Sequence, residues 1–278
     1  MQGCEPRISL FSQSLFSLPL YEAIEATATA GFAAIELACV KPHLDLGTAR
    51  HDADAVAEHV RRAGLTVSAL SLLNCFTAPQ RLAEEIESAH TFIRLAPLFN
   101  TKIAKMTPGP PGSSDATQEH WRCLRTALAR LVPVASEVGV RLAFETHMRQ
   151  LTDTLASSRR LLAMAPTDAV GLTLDFSNLS FAGEKMPAVI SALKDRIYNT
   201  HLKNGYIDEN GNWHFQALDT GLTDYAAVLR LLRQANYDGY LTIECLGPDA
   251  QTDPIGTAKR DLGILCGLLA QADCDASP

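Results

Sequence analysis

Glu145, Asp175, His201 and Glu244 each close a short apolar run, in the segments RLAFE, VGLTLD, RIYNTH and YLTIE. If those runs are neighbouring parallel strands, the four side chains converge on one point. Three carboxylates and an imidazole gathered out of water are costly unless a positive centre compensates them, so the set calls for one divalent metal ion. Oxygen-rich ligands with one imidazole and no thiolate suit Mn²⁺ best, with Mg²⁺, Co²⁺ and Zn²⁺ also within reach. Each residue alone has an ordinary use: a strand-end Asp caps a helix, a Glu pairs with a Lys, a His bonds within a core. Repetition of one placement at four strand ends is what argues for a shared centre.

Two residues belong to the same edge. His147 follows Glu145 by two positions and Lys203 follows His201 by two, so on extended backbone each points to the side of its partner. A neutral imidazole there can act as general base, and an ammonium can hold a carboxylate or a developing enolate oxygen. The ordinary alternatives are a histidine packed under its loop and a solvated rim lysine. In the first half of the chain Glu36 ends AAIELA, Asn74 ends a third run, and Lys105 precedes the turn TPGPPG. Glu36 and Lys105 aim a formal charge at the same mouth and rank as substrate-binding candidates.

The elements that must position these residues can be counted. Strand-like runs fall at 8–14, 34–38, 66–73, 102–107, 141–146, 170–176, 196–203 and 240–246, separated by segments whose apolar residues return every three or four positions. Gly31, Gly64 and Gly139 stand where helices would end in the left-handed conformation, and 255–270 supplies a final helix. Eight strand-then-helix units predict an α/β fold, a (β/α)8 TIM barrel closed on itself, as a single domain over 1–272 with a disordered tail at 273–278. An open doubly wound sheet is the runner-up; against it, no glycine-rich phosphate-binding motif follows any strand.

The chain has 278 residues, 47% of them apolar, and a formal net charge of -7. That length suits one large core. The acidic balance argues against a nucleic-acid partner, since no bulk positive field seeks phosphates. No run approaches the roughly 18 apolar residues of a membrane span, and MQGCEPRISL lacks the pattern of a secretory signal, so a cytoplasmic protein is expected. Seven cysteines at wide spacings without a C-x-x-C pair fit reduced thiols.

The segments AGFAAIELA, GVRLAFETH, GLTLDFSN, THLKN and DYAAVLRLLRQANYDGYLTIE resemble the xylose-isomerase-like superfamily of TIM-barrel sugar isomerases and epimerases. The resemblance implies that Glu145, Asp175, His201 and Glu244 take the four metal-ligand positions, and that Glu145 and Glu244 stand where many members transfer protons. It also implies a homo-oligomer. Ketose 3-epimerases of this superfamily carry a histidine and an arginine where this chain has Asn178 and Ile207. Conversely, ETHMRQLTDTLASSRRLL and HLKN resemble 3-dehydroshikimate dehydratases, which implies a base role for His147 and substrate contacts for Lys203 and Lys105; SNLSFAG departs from that pattern.

The reading is a metal-dependent isomerase or epimerase that removes a proton beside the carbonyl of a sugar or sugar-derived hydroxy-ketone, with Glu145, Glu244 or His147 as base. The alternatives are a metal-dependent dehydratase or lyase on the same site, and a catalytically silent sugar-binding barrel.

Overall fold

The computed structural model describes residues 7–274. Ten strands follow in chain order: β1 (Arg7–Phe11), β2 (Ala34–Ala38), β3 (Thr66–Leu72), β4 (Ile103–Met106), β5 (Arg141–Glu145), β6 (Val170–Asp175), β7 (Ile197–Leu202), β8 (Asn204–Ile207), β9 (Trp213–Gln216) and β10 (Tyr240–Ile243). Eight of them, all but β8 and β9, close an all-parallel barrel in the order β1-β10-β7-β6-β5-β4-β3-β2. The chain is thus a single (β/α)8 TIM barrel. Every residue of β2 and β6 is buried, as a sheet covered on one face by helices and filled on the other by its own side chains requires.

The helices are α1 (Leu20–Thr29), α2 (Leu46–His51), α3 (Ala53–Arg62), α4 (Leu82–Leu95), α5 (Gln118–Val138), α6 (Leu155–Met164), α7 (Phe176–Phe181), α8 (Met186–Leu193), α9 (Tyr225–Gln234), α10 (Pro248–Thr252) and α11 (Pro254–Cys274). Their ends follow the expected chemistry. Gly139 takes φ 69° after α5 and supplies the left-handed cap that a side chain would strain, while the Asp224 carboxylate accepts from the Ala227 N–H to start α9. Apolar faces of these helices pack on the barrel through residues such as Leu124, Leu128, Leu161, Val189 and Leu229, all buried. Each such side chain contributes roughly 1.5–3 kcal/mol through water exclusion.

Three differences from the sequence reading bear on the site. The first strand stops at Phe11, and Ser12–Leu15 form a tight 3₁₀ turn instead of continuing the strand to residue 14. The helix at the C-terminus continues to Cys274, past the domain limit expected at 272; the rest of the expected tail, 275–278, lies outside the described residues. Between β7 and α9 the chain makes an antiparallel hairpin, β8 paired with β9, which the strand count omitted. Among the described residues no helix is long and apolar enough to cross a membrane.

Candidate metal centre

Barrel closure brings the ends of β5, β6, β7 and β10 together at the C-terminal mouth, and with them Glu145, Asp175, His201 and Glu244. Asp175 and His201 are register partners across β6 and β7. One donor atom from each of the four residues lies within 4.8 Å of the other three, and all four residues are buried. Donors held about 2.0–2.2 Å from a cation span at most about 4.4 Å, so a contraction of a few tenths of an ångström would suffice.

One orphaned atom shows what the set is shaped to hold. His201 Nδ1 is buried with no hydrogen-bond partner, a state that natural sites rarely leave uncompensated. The His201 ring is fixed from behind: its Nε2 meets Glu36 Oε1 at 2.8 Å, so Nδ1 faces Glu145 Oε1 at 3.6 Å and Glu244 Oε2 at 3.8 Å. A carboxylate that accepts the far ring N–H selects the tautomer whose other nitrogen can bind a metal. Asp175 divides its oxygens in the same way. Oδ1 accepts the Asn178 N–H at 2.9 Å and caps α7, which leaves Oδ2 for the centre. The helix cap and the candidate ligand are two ends of one side chain.

The charges are balanced from within the protein. Lys105 Nζ lies 2.5 Å from Glu145 Oε2, and Lys203 Nζ lies 2.7 Å from Asp175 Oδ2 and 2.6 Å from Glu244 Oε2. Burial raises the proton affinity of Glu145, yet the Lys105 ammonium and His201 reverse this and hold its carboxyl well below the usual range. For Glu244, burial is likewise overcome, by Lys203 first and His201 second, and its pKa falls. Asp175 moves upward, because burial and the charges of Glu145 and Glu244 outweigh Lys203. Burial alone would push His201 down; Glu36 and Glu145 raise it to about 10.

Two of the candidate substrate contacts are engaged within the protein itself. Glu36 is fully buried, and its oxygens are both engaged, one by Asn199 Nδ2 at 2.8 Å and one by His201. It has no oxygen to offer a substrate and orients a candidate ligand instead. Lys105 is 1% exposed, salt-bridged to Glu145, with its Nζ 5.4 Å from the Phe11 ring centre; it braces a ligand from inside the barrel. Asn74 donates to Glu85 Oε2 at 3.1 Å and so secures its own loop.

His147 is half-buried on the β5–α6 loop, and its Nδ1–H donates to the Met148 carbonyl at 2.7 Å. That bond leaves the acceptor lone pair on Nε2. Lys203 does point into the cluster, and its backbone is clamped: the Tyr225 hydroxyl accepts its N–H at 3.0 Å and donates to its carbonyl at 2.6 Å, and Ser177 Oγ bonds the same carbonyl.

Two parts of the mouth escaped the sequence reading. Gln13, in the 3₁₀ turn after β1, reaches Glu244 Oε1 with its Nε2 at 3.4 Å. The β8–β9 hairpin carries Trp213 and Phe215, which pack on Phe181 at 5.8 and 6.5 Å; the Arg149 guanidinium sits 5.0 Å from the Trp213 ring centre, and Lys203 Nζ 5.9 Å from that of Phe215. The hairpin thus rises beside the cluster as an aromatic wall. Asn210-Gly211, between alternating aromatic residues, is the signal that marks such a hairpin. Ile207 lies on this hairpin, paired with Trp213, and Asn178 donates from Nδ2 to the Thr146 carbonyl.

A closed parallel barrel with a buried three-carboxylate, one-imidazole cluster at its mouth has the form of a barrel enzyme whose site could hold a divalent cation. The sequence model of the xylose isomerase-like TIM barrel family matches residues 24–266, and the chain belongs to that family. Among relatives, it is similar to an inosose dehydratase of Lacticaseibacillus casei, 28% identical over 158 residues that cover 52% of this chain and 53% of the relative. The matches to such relatives therefore span only about half of their length. Two solved structures share the fold. The IolI protein, whose structure has a bound zinc atom, superposes with a TM-score of 0.83 at 17% identity, covering 96% of this chain and 99% of its own. An L-ribulose 3-epimerase superposes with a TM-score of 0.80 at 21% identity over 98% and 97% of the two chains.

Proposed function

We propose that this chain is a metal-dependent dehydratase acting on a sugar- or cyclitol-derived hydroxy-ketone, from which it removes a proton beside the carbonyl and expels a β-hydroxyl as water. The observation that carries the reading is the convergence of Glu145, Asp175, His201 and Glu244 on one buried point, with His147 on the loop that follows β5. Those four residues would hold one divalent cation, and the cation would supply Lewis-acid polarisation of the substrate carbonyl. Mn²⁺ suits the donors, and Zn²⁺ is the metal of the IolI structure. Likeness to inosose dehydratases supports the dehydratase branch over isomerisation.

The chain's own groups account for the rest. With Nδ1–H bound to Met148, His147 has Nε2 as its proton acceptor, and it takes the α-proton. The electron pair left behind forms the C=C bond as the β-hydroxyl departs, and the proton taken up by His147 passes to the leaving oxygen to give water. Glu145 and Glu244, both kept ionised, hold the centre, and Glu145 or Glu244 can assist the proton transfer. The buried mouth and the hairpin wall limit bulk water near the substrate. The free cysteines Cys39, Cys75, Cys123, Cys245 and Cys266 agree with a reducing, cytoplasmic setting.

A second reading, isomerase or epimerase, starts from the same proton abstraction and returns the proton to carbon; the shared fold with the L-ribulose 3-epimerase supports it only at the level of architecture. The test is to load metal-stripped protein with Mn²⁺, Co²⁺, Zn²⁺ or Mg²⁺ and incubate it with inosose, 3-dehydroshikimate and ketoses in D₂O. Ultraviolet absorbance from an unsaturated product of one cyclic ketone is expected. Deuterium entering a ketose without any absorbance change would reject dehydration in favour of the second reading.

A further inference from the structure

Lys105 and Lys203 both neutralise the cluster, but they do so on different oxygens. Lys105 holds Glu145 Oε2, whereas the oxygen of Glu145 that faces His201 Nδ1 is Oε1. A cation entering the cage can use Oε1 and leave Lys105 where it is. Lys203 holds Asp175 Oδ2, and Asp175 has no other oxygen to give, because Oδ1 is committed to the cap of α7. It also holds Glu244 Oε2, the oxygen directed at His201 Nδ1, while Oε1 faces Gln13. Metal and ammonium require the same two oxygens.

We infer that Lys203 is an exchangeable internal cation: its ammonium occupies Asp175 and Glu244 in the metal-free protein, and metal loading drives it out of the cage toward the hairpin, where it meets a substrate oxygen. The inference rests on the reading of the four residues as metal ligands. Two further features suit it. The Lys203 backbone is held by Tyr225 and Ser177, so the exchange is a rotation of the side chain and leaves β7 in place. A landing surface is at hand in the Phe215 ring, 5.9 Å from Nζ, since an aromatic face accepts an ammonium. Substrate contact by Lys203 then depends on the metal having bound first.

The experiment is a chelator-buffered Mn²⁺ titration, read by calorimetry, of metal-stripped wild-type, Lys203→Met, Lys203→Arg and Lys105→Met proteins. Lys203→Met is expected to bind Mn²⁺ about tenfold more tightly or better, because its internal competitor is gone, and Lys105→Met to change affinity by less than about threefold, although it removes the same charge. Lys203→Arg keeps a cation at the position and is expected to stay near wild type. Wild-type binding with equal or weaker binding by Lys203→Met overturns the exchange while sparing the metal site; absence of stoichiometric Mn²⁺ from the wild type overturns both. Should Lys203→Met fail to fold, wild-type crystal structures with and without Mn²⁺ decide the matter. Nζ beyond hydrogen-bond reach of Asp175 Oδ2 in the loaded form is the expected result, and Nζ still bridging Asp175 and Glu244 beside the metal overturns it.

Discussion

The two halves of the barrel treat charge in opposite ways. From β1 to β4, the charged residues Glu36 and Lys105 turn inward and spend their polar atoms on other side chains of the protein: Glu36 on His201 and Asn199, Lys105 on Glu145. From β5 to β10, the strand ends crowd three carboxylates round one imidazole and leave its Nδ1 without a hydrogen-bond partner. On the proposed function, one half acts and the other holds the acting half still. The carboxylates draw their counter-charges from both walls, Lys105 on β4 and Lys203 at the end of β7, so preorganisation here is a property of barrel closure.

This division of labour can be broken by mutation, and the largest effect belongs to the acting half. Glu145→Gln is expected to lower turnover on the order of 10³-fold and to weaken metal binding, measured by steady-state kinetics and elemental analysis. Wild-type turnover in that variant would remove Glu145 from the chemistry.

On the holding half, Glu36→Gln frees the His201 ring and is expected to weaken metal affinity about 10–100-fold, with much of the turnover recovered at saturating metal. A loss as deep as that of Glu145→Gln under metal saturation would erase the distinction between the halves. The same variant carries a pH signature. In metal-free protein the His201 pKa stands near 10, above its unfolded value, as Glu36 and Glu145 override burial. The pair therefore adds stability that is fully present below about pH 6.5 and lost as pH rises through about 10. Thermal melts of metal-free wild type should fall across that window, and those of Glu36→Gln should lose most of the slope.

The smallest effect on turnover is expected from Lys105→Met. It leaves a buried Glu145 carboxylate without its nearest counter-charge and should destabilise the metal-free protein by about 3–5 kcal/mol. Because Lys105 holds an oxygen that the metal does not need, the loss should be nearly the same with and without bound Mn²⁺, which differential scanning calorimetry would show. Recovery of most of the loss on metal binding would mean that Lys105 competes with the metal as Lys203 does.

The acting half was legible in the sequence because each of its residues closes an apolar run, and a strand's end is set by local pattern. Glu145, Asp175, His201 and Glu244 could be placed from that pattern and the strand order alone. The holding half was legible as residue types but not as partners. Glu36 lies in the middle of an apolar run and meets an imidazole from a strand 165 positions away, and only the closed barrel's geometry makes that meeting. Gln13 escaped because the run from Ile8 to Ser14 reads as unbroken strand, whereas the chain turns at Ser12. Asp175 shows a subtler limit: helix cap and ligand look like rival explanations in sequence, and two oxygens on one carboxylate satisfy both.

The hairpin after β7 begins directly beyond Lys203, so the wall of the mouth grows from the same strand that delivers His201. Its base tolerates no side chain: Gly205 takes φ 156°, and a Cβ there would lie 2.1 Å from the His214 carbonyl oxygen. Beyond that glycine the hairpin is joined to the cage by chain continuity and by the Phe215 ring beside Lys203. Trp213, Phe215 and their neighbours can therefore be exchanged without moving a residue of the cage, so the shape of the mouth and the cluster beneath it are free to change independently.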